Sequence, residues 1–227
     1  MYNKFNFSYL ESIFVLAQEN NYKFTPLEEL CENSSEKKKK FSLRLDVEFQ
    51  PHSLDNFLVL CKKYKVPMTI YVRVSGPYNI FWYNTYKFLK KAKDEGHEIG
   101  LHTTPFEWAK INNENPIDIL DAEIKLLKKF FNIKSVSTHR DLNYAYNSLP
   151  WFEENWNDLK KKYDLKYHAY EKKFFENIEY INEGFNPHIC WRNKTPEECI
   201  KSGKKIYMLL HPHWWFSDNP FEHEYSL

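Results

Sequence analysis

The stretch FSLRLDVE, Phe41 to Glu48, decides how the chain reads. Phe41 to Val47 is strand-like and closes on two carboxylates, Asp46 and Glu48. Their spacing of two on an extended backbone points both side chains to one side. Outward from this stretch, strand-like and helix-like segments alternate. Ser53 to Tyr64 reads as a helix, Met68 to Val74 as a strand, Asn84 to Asp94 as a helix and His97 to His102 as a strand. Asn115-Pro116 caps a helix running to about Phe131, with Ile119, Ile124, Leu126 and Leu127 apolar. Val136 to His139 and Tyr167 to Ala169 are further strands, separated by a helix over Trp151 to Tyr163. Ile178 to Asn182, a helix start at Thr195-Pro196-Glu197-Glu198 and a last strand Lys205 to Leu210 complete the series. Repeated βα units predict a parallel sheet or a (β/α) barrel, because parallel strands need crossover connections.

Upstream, Ser8 with Glu11 forms a capping-box pattern that predicts a helix over roughly Ser8 to Asn20. Tyr22 to Thr25 is β-like, Thr25-Pro26 with Glu28 and Glu29 reads as a helix start, and Asn33 to Lys40 is a polar linker. Residues 1–40 are therefore expected to be a helical extension and linker packed on a single-domain barrel over 41–227. A length of 227 residues suits one large core.

Lys+Arg 32 against Asp+Glu 31, with one short lysine run at Lys37 to Lys40, argues against an electrostatic nucleic-acid binder. The longest apolar stretches, such as Ile13 to Ala17 and Tyr207 to Leu210, fall far short of the ~20 residues of a membrane span. Met1 to Asn20 lacks a secretory h-region. Cys31, Cys61, Cys190 and Cys199 show no CxxC spacing and no disulfide framework, so a cytoplasmic location is expected. Arginine occurs only at Arg44, Arg73, Arg140 and Arg192. In so lysine-biased a chain a solvated cation tends to be lysine, and a retained arginine more often needs its planar fork.

Chemistry gathers at the strand ends. Asp46 and Glu48 close one predicted strand, His102 another, His139 and Arg140 a third, and His211 a fourth. In α/β barrels that end is the catalytic face. Two adjacent carboxylates raise each other's pKa unless a cation lies between them, which makes a divalent metal or a general base a natural reading. The plainer reading is strand-end capping or a salt bridge with Arg44. His97 is an odd number of residues from His102 and reads as a bottom-face residue. Trp214 and Trp215 serve either packing or a sugar-stacking platform.

In order and spacing, five pieces resemble the polysaccharide deacetylase superfamily (NodB homology, carbohydrate esterase 4), in particular a branch marked by an RHDVD motif. They are Arg44-Leu45-Asp46-Val47-Glu48, Gly96-His97-Glu98-Ile99-Gly100-Leu101-His102, Thr138-His139-Arg140, Tyr180-Ile181-Asn182-Glu183 with Trp191-Arg192, and Leu210-His211-Pro212-His213-Trp214-Trp215. The resemblance implies a deformed (β/α) barrel of about seven strands and metal-dependent hydrolysis of an acetamide or acyl ester on a sugar. By motif position it implies Asp46 as general base, Glu48 as the metal-ligand carboxylate and His102 as the first metal histidine. Arg140 would orient the base and His211 would act as general acid. Trp191, Arg192, His213 and Trp214 are the candidate substrate contacts.

The chain departs from that pattern in four places, the first being Glu48 where the usual second aspartate belongs, one methylene longer. Phe106 stands where the second metal histidine belongs, Leu45 replaces the branch's histidine, and Asn182-Glu183 replaces an acid and a serine. Catalytic zinc normally takes three protein ligands. His139, which ends a neighbouring strand, is the preferred third donor, with Glu107 next. The expectation is a hydrolase using a divalent metal, Zn²⁺ first, to remove an acetyl or similar acyl group from an acetylated sugar, a glycan precursor or another small amide. The alternatives are a metal-independent amide or C–N hydrolase built on Asp46, Arg140 and His211, and a carbohydrate-binding domain that has lost catalysis.

Overall fold

Every residue of the strand that carries the acidic pair is buried, because it has covering on both faces. The computed structural model describes residues 5–31, 38–49, 51, 54–139, 148–185 and 189–217. The chain opens with α1 (Phe7–Glu19), β1 (Lys23–Phe24) and α2 (Leu27–Leu30) before β2 (Lys40–Val47). Then follow α3 (Leu54–Tyr64), β3 (Met68–Arg73), α4 (Tyr83–Asp94) and β4 (Glu98–Thr103). Two helices, α5 (Pro105–Asn112) and α6 (Pro116–Phe131), lead to β5 (Ser135–Thr138), α7 (Ser148–Lys162) and β6 (Tyr167–His168). The last part holds β7 (Ile178–Phe185), β8 (Ile189–Trp191), α8 (Pro196–Ser202) and β9 (Lys205–Leu210).

The strands form one sheet in the order β6-β5-β4-β3-β2-β9-β7-β8, with β1 beside the start of β2. All neighbours are parallel except β7 and β8. The sheet curls into a half-barrel, the α/β architecture expected, with nine strands among the described residues rather than about seven. The excess is two short pieces: β1, which falls within the β-like run Tyr22 to Thr25, and β8, whose three residues are too few for a periodicity to register.

Alternation along β2 divides its work. Leu43, Leu45 and Val47 join the core shared with Phe57, Leu58 and Cys61 of α3. Arg44 and Asp46 take the opposite, interior face. Burying each such aliphatic side chain contributes about 1.5–3 kcal/mol, so the register that turns the polar residues inward is held by the apolar ones turned outward.

Local chemistry sets the helix ends. Asn115 caps α6 by accepting the Ile117 N–H at 2.9 Å, and Thr195 and Glu198 form a reciprocal capping box on α8. In α1 the cap is Asn6, whose side chain accepts the Tyr9 N–H at 2.8 Å, and not Ser8, which lies inside the first turn of the helix. The N-terminal region does more than pack on the barrel. β1 pairs with Lys40 and Phe41, while Asn6 bridges to Phe216, so it also extends the sheet. Among the described residues no helix is long and apolar enough to cross a membrane.

Candidate metal centre

The interior of the half-barrel is polar from the floor upward. Arg44 is fully buried and grips Asp46 with both arms of its fork, Nε to Oδ1 at 2.7 Å and Nη2 to Oδ2 at 2.6 Å. Its remaining donors reach the Tyr207 hydroxyl at 2.9 Å, the Ser137 hydroxyl at 2.5 Å and the Tyr170 hydroxyl at 3.2 Å. The guanidinium also lies over the rings of Tyr71 and Tyr170, 5.1 and 4.6 Å from their centroids, where the ring quadrupoles stabilise the cation. Tyr71 takes this place because Gly100 faces it from β4. A Cβ on Gly100 would fall 2.5 Å from the Tyr71 ring.

One layer up, four strand ends converge. His102 Nε2 lies 3.5 Å from Asp46 Oδ2 and 3.9 Å from Glu48 Oε1. His139 Nε2 is 3.1 Å and His211 Nε2 3.5 Å from that same Glu48 oxygen. His139 follows the last residue of β5, yet its backbone N–H still donates to the Thr103 carbonyl at 2.8 Å, so the ladder fixes where its ring stands. The His102 and His139 rings meet edge to face with centroids 5.0 Å apart. One ligand atom from each of Glu48, His102 and His139 falls within 4.8 Å of the others.

These three side chains fit a divalent cation. His102 Nδ1 lies 3.3 Å from the Ser137 carbonyl, which only accepts, so Nδ1 carries the proton and Nε2 the lone pair. That Nε2 is sealed from solvent and has no hydrogen-bond partner. An orphaned imidazole nitrogen in a set of one carboxylate and two histidines, with its other nitrogen held by a backbone carbonyl, suits an ion of the zinc type. Glu107 is buried on α5 and is not part of this cluster. Phe106 turns to Trp151, edge to face at 5.4 Å.

Protonation states follow from competing effects. Burial alone would raise the Asp46 carboxyl, but Arg44, with His102 and His211 behind it, outweighs burial and holds it below the ordinary range. Burial works the same way on Glu48, and the three histidines around it win, keeping it ionised. At His102 burial dominates and lowers the imidazole, leaving it neutral, the form that ligates. His211 goes the other way: burial pulls it down, but Glu183 and then Glu48 overcome burial and raise it well above its usual value.

Glu183, at the end of β7, was not assigned a role from the sequence. It is completely buried, accepts the His211 backbone N–H at 2.5 Å and the Trp215 indole N–H at 3.1 Å, and faces His211 Nδ1 at 3.4 Å. An acid in the otherwise apolar Tyr180-Ile181 segment was the available signal. His213 and Trp214 stand beside His211, with Trp214 4.7 Å from the His211 ring and His213 5.0 Å from Trp214. The exposed Phe49 adds a ring 4.8 Å from His213. Trp191 is elsewhere. It packs on Phe5 and gives its indole N–H to the Tyr9 hydroxyl at 3.1 Å, which assigns it to the docking of α1. Arg192 is exposed and joins no part of the cluster. Arg140 lies outside the described residues, and the guanidinium that holds Asp46 is that of Arg44.

No family model and no curated protein matches the chain. Among solved structures it is similar to the chitin deacetylase of Colletotrichum lindemuthianum, at 14% identity and a TM-score of 0.44, over 76% of this chain and 73% of that one. It is also similar to a polysaccharide deacetylase from Bacillus cereus, at 15% identity and a TM-score of 0.46, over 77% of this chain and 80% of that one.

Proposed function

We propose that the chain is a metal-assisted hydrolase that removes an acetyl or similar acyl group from an acetylated sugar or glycan precursor. Glu48, His102 and His139 hold the ion, Asp46 is the base and His211 the acid. The observation that carries this reading is the gathering of three ligand atoms within 4.8 Å, with a pinned carboxylate below them and a histidine paired to a buried glutamate beside them.

When bound, a divalent ion there supplies Lewis acidity to an acyl carbonyl and lowers the pKa of a water. Arg44 keeps Asp46 ionised and fixes its plane, so that Oδ2, the oxygen turned toward His102, receives the proton of the attacking water. Held bidentate, Asp46 loses basicity and gains orientation. Glu183 keeps the His211 imidazole charged through Nδ1, leaving Nε2 to donate a proton to the departing amine or alkoxide. His213, Trp214 and Phe49 offer ring faces beside this acid on which a sugar can stack.

Two measurements on one preparation test the reading. Metal analysis of protein purified without chelator is expected to give about one divalent ion per chain, and His102→Ala to give none. Acetate release from acetylated saccharides is expected in the wild type and lost in Asp46→Asn. Metal absent from both proteins, or acetate release unchanged by Asp46→Asn, overturns it.

A further inference from the structure

Of the arginines that a lysine-biased chain retains, Arg73 has no place in the chemistry above. It is the last residue of β3, only 8% exposed, and among the described residues its side chain makes no hydrogen bond or ion pair. Its Nε is sealed from solvent, with no acceptor among the described residues. Leaving a buried charged donor unpaired is expensive, and a fold that tolerates it usually has a partner to come.

The placement is specific. Arg73 is registered with His102 across the β3–β4 ladder, so the two side chains leave the same face of the sheet. That face is the interior one, since Tyr71, two residues earlier, lies over Arg44. The surroundings hold the residue rather than neutralise it. The Tyr78 hydroxyl accepts the Arg73 N–H at 2.9 Å and donates to the Val47 carbonyl at 2.8 Å, tying the loop after β3 to the end of β2. Gly76 presses on the stem so closely that a Cβ there would sit 2.9 Å from the Arg73 Cβ. Glu123 feels the Arg73 charge without forming an ion pair with it, and its oxygens accept from Ser75 at 3.1 Å and Thr103 at 2.5 Å.

We propose that Arg73 is a specificity-determining residue that receives an anionic oxygen pair of the substrate, a carboxylate or a phosphate, in its fork beside the metal cluster. This rests on the site reading above. A substrate bearing such a group next to its acyl function would be oriented by two parallel N–H···O bonds, which a planar guanidinium provides and an ammonium does not. A neutral acetylated sugar would leave the fork unpaired and be selected against.

The scarcity of arginine makes the test direct, because four side chains give four Nε–H resonances in an ¹⁵N-labelled chain, assignable by Arg→Lys substitution. The full chain is titrated separately with inorganic phosphate and with lactate, each to tens of millimolar. The Arg73 resonance is expected to shift and saturate. A response to phosphate alone points to a phosphorylated substrate, and a response to lactate alone, or to both, to a carboxylate-bearing one. Arg73→Lys keeps the charge, and its binding midpoint, followed by calorimetry, is expected to rise about tenfold. An Arg73 resonance that stays put under both titrations, or moves without saturation together with the other arginines, overturns the proposal, whether or not the lysine variant folds. The readout is independent of acetate release, so failure of the deacylase reading and failure of the anion site are told apart.

Discussion

Arg44→Met is the most informative single perturbation, because a buried ion pair behaves differently when broken and when replaced. In the wild type the fully buried guanidinium faces an Asp46 that is 2% exposed. Methionine fills much of the volume and leaves the carboxylate without its cation. Breaking a buried pair in this way costs about 3–5 kcal/mol, and the Tyr207 hydroxyl softens little of that, since it already donates to the Ala169 carbonyl at 3.1 Å. Against a typical total stability of about 5–15 kcal/mol, the loss is large. Arg44→Met/Asp46→Asn removes both charges and should be less damaging than Arg44→Met alone, with a coupling of about 2–3 kcal/mol between the two sites. The sign with pH follows from the same contacts. Arg44 lowers the folded-state pKa of Asp46, so the wild-type contribution is present above the unfolded pKa and fades as pH falls through the folded one. Without Arg44, burial lifts the folded pKa above the unfolded value, and the deficit of the single mutant shrinks on acidification. Urea unfolding followed by tryptophan fluorescence, at neutral and mildly acidic pH, gives all the required free energies. Single-mutant effects that add to within about 0.5 kcal/mol would refute the coupling.

Further outcomes follow from other parts of the molecule. His139→Ala should lose bound metal as completely as His102→Ala, while Glu107→Gln keeps it; elemental analysis decides, and retention by His139→Ala removes the third ligand. Glu183→Gln strips His211 of its buried anion, lowers its pKa and should move the basic limb of the kcat profile to lower pH; an unmoved limb excludes His211 as the acid. His168, buried with its Nδ1 accepting the Tyr170 N–H, is lowered from 6.5 to about 4 chiefly by burial. The unfolded chain therefore takes up the proton first, and stability should fall by about 2 kcal/mol between pH 7 and pH 5, a slope that His168→Asn flattens. Trp191→Phe should lower the urea midpoint through lost α1 docking and leave KM unchanged; a raised KM would return Trp191 to the substrate.

Much of this arrangement is legible in the amino-acid order because strand ends are marked by abrupt polarity. Leu43, Leu45 and Val47 interleaved with Arg44 and Asp46 announce both the strand and the row that turns inward. The Thr195–Glu198 box announces α8 in the same direct way. Other features depend on contacts that a linear reading does not contain. Asn6 and Ser8 are both good N-caps two residues apart, and only the Tyr9 N–H chooses between them. Pro105 at the first position of α5 was a start signal, but PFEWAKIN has no strong apolar face to follow it. The motif assigns the orienting of Asp46 to Arg140, which lies outside the described residues, while the plainer reading pairs Asp46 with Arg44, whose fork is on that carboxylate. Trp191 sits among motif residues in sequence, yet in space it belongs to a helix more than 170 residues earlier, bonded to Tyr9 at a separation of 182.

The absence of a histidine at position 106 has a structural counterpart in where β5 ends. A ligand four residues after His102 would ride on the first turn of α5, whose side chains depend on the packing of that helix. His139 hangs instead from the last rung of a ladder, its backbone bonded to Thr103 of the strand that carries His102. Two adjacent strands therefore set the separation of the two imidazoles, and the Ser137 carbonyl between them sets the tautomer of His102. The geometry of the proposed ligands is thus supported by the sheet, the most deeply packed element of the fold. Phe106, relieved of any ligating duty, packs its ring against Trp151 of α7. Glu48 completes the logic from the other side. It lies one residue beyond β2, on a strand whose apolar half is locked into the main core, and its carboxylate meets His102, His139 and His211 within 3.9 Å. The three proposed ligands come from the ends of β2, β4 and β5, with β3 between the first two, and keep their relative positions as long as that one sheet does. The site should therefore survive changes in α5 and fail with changes in the β4–β5 register.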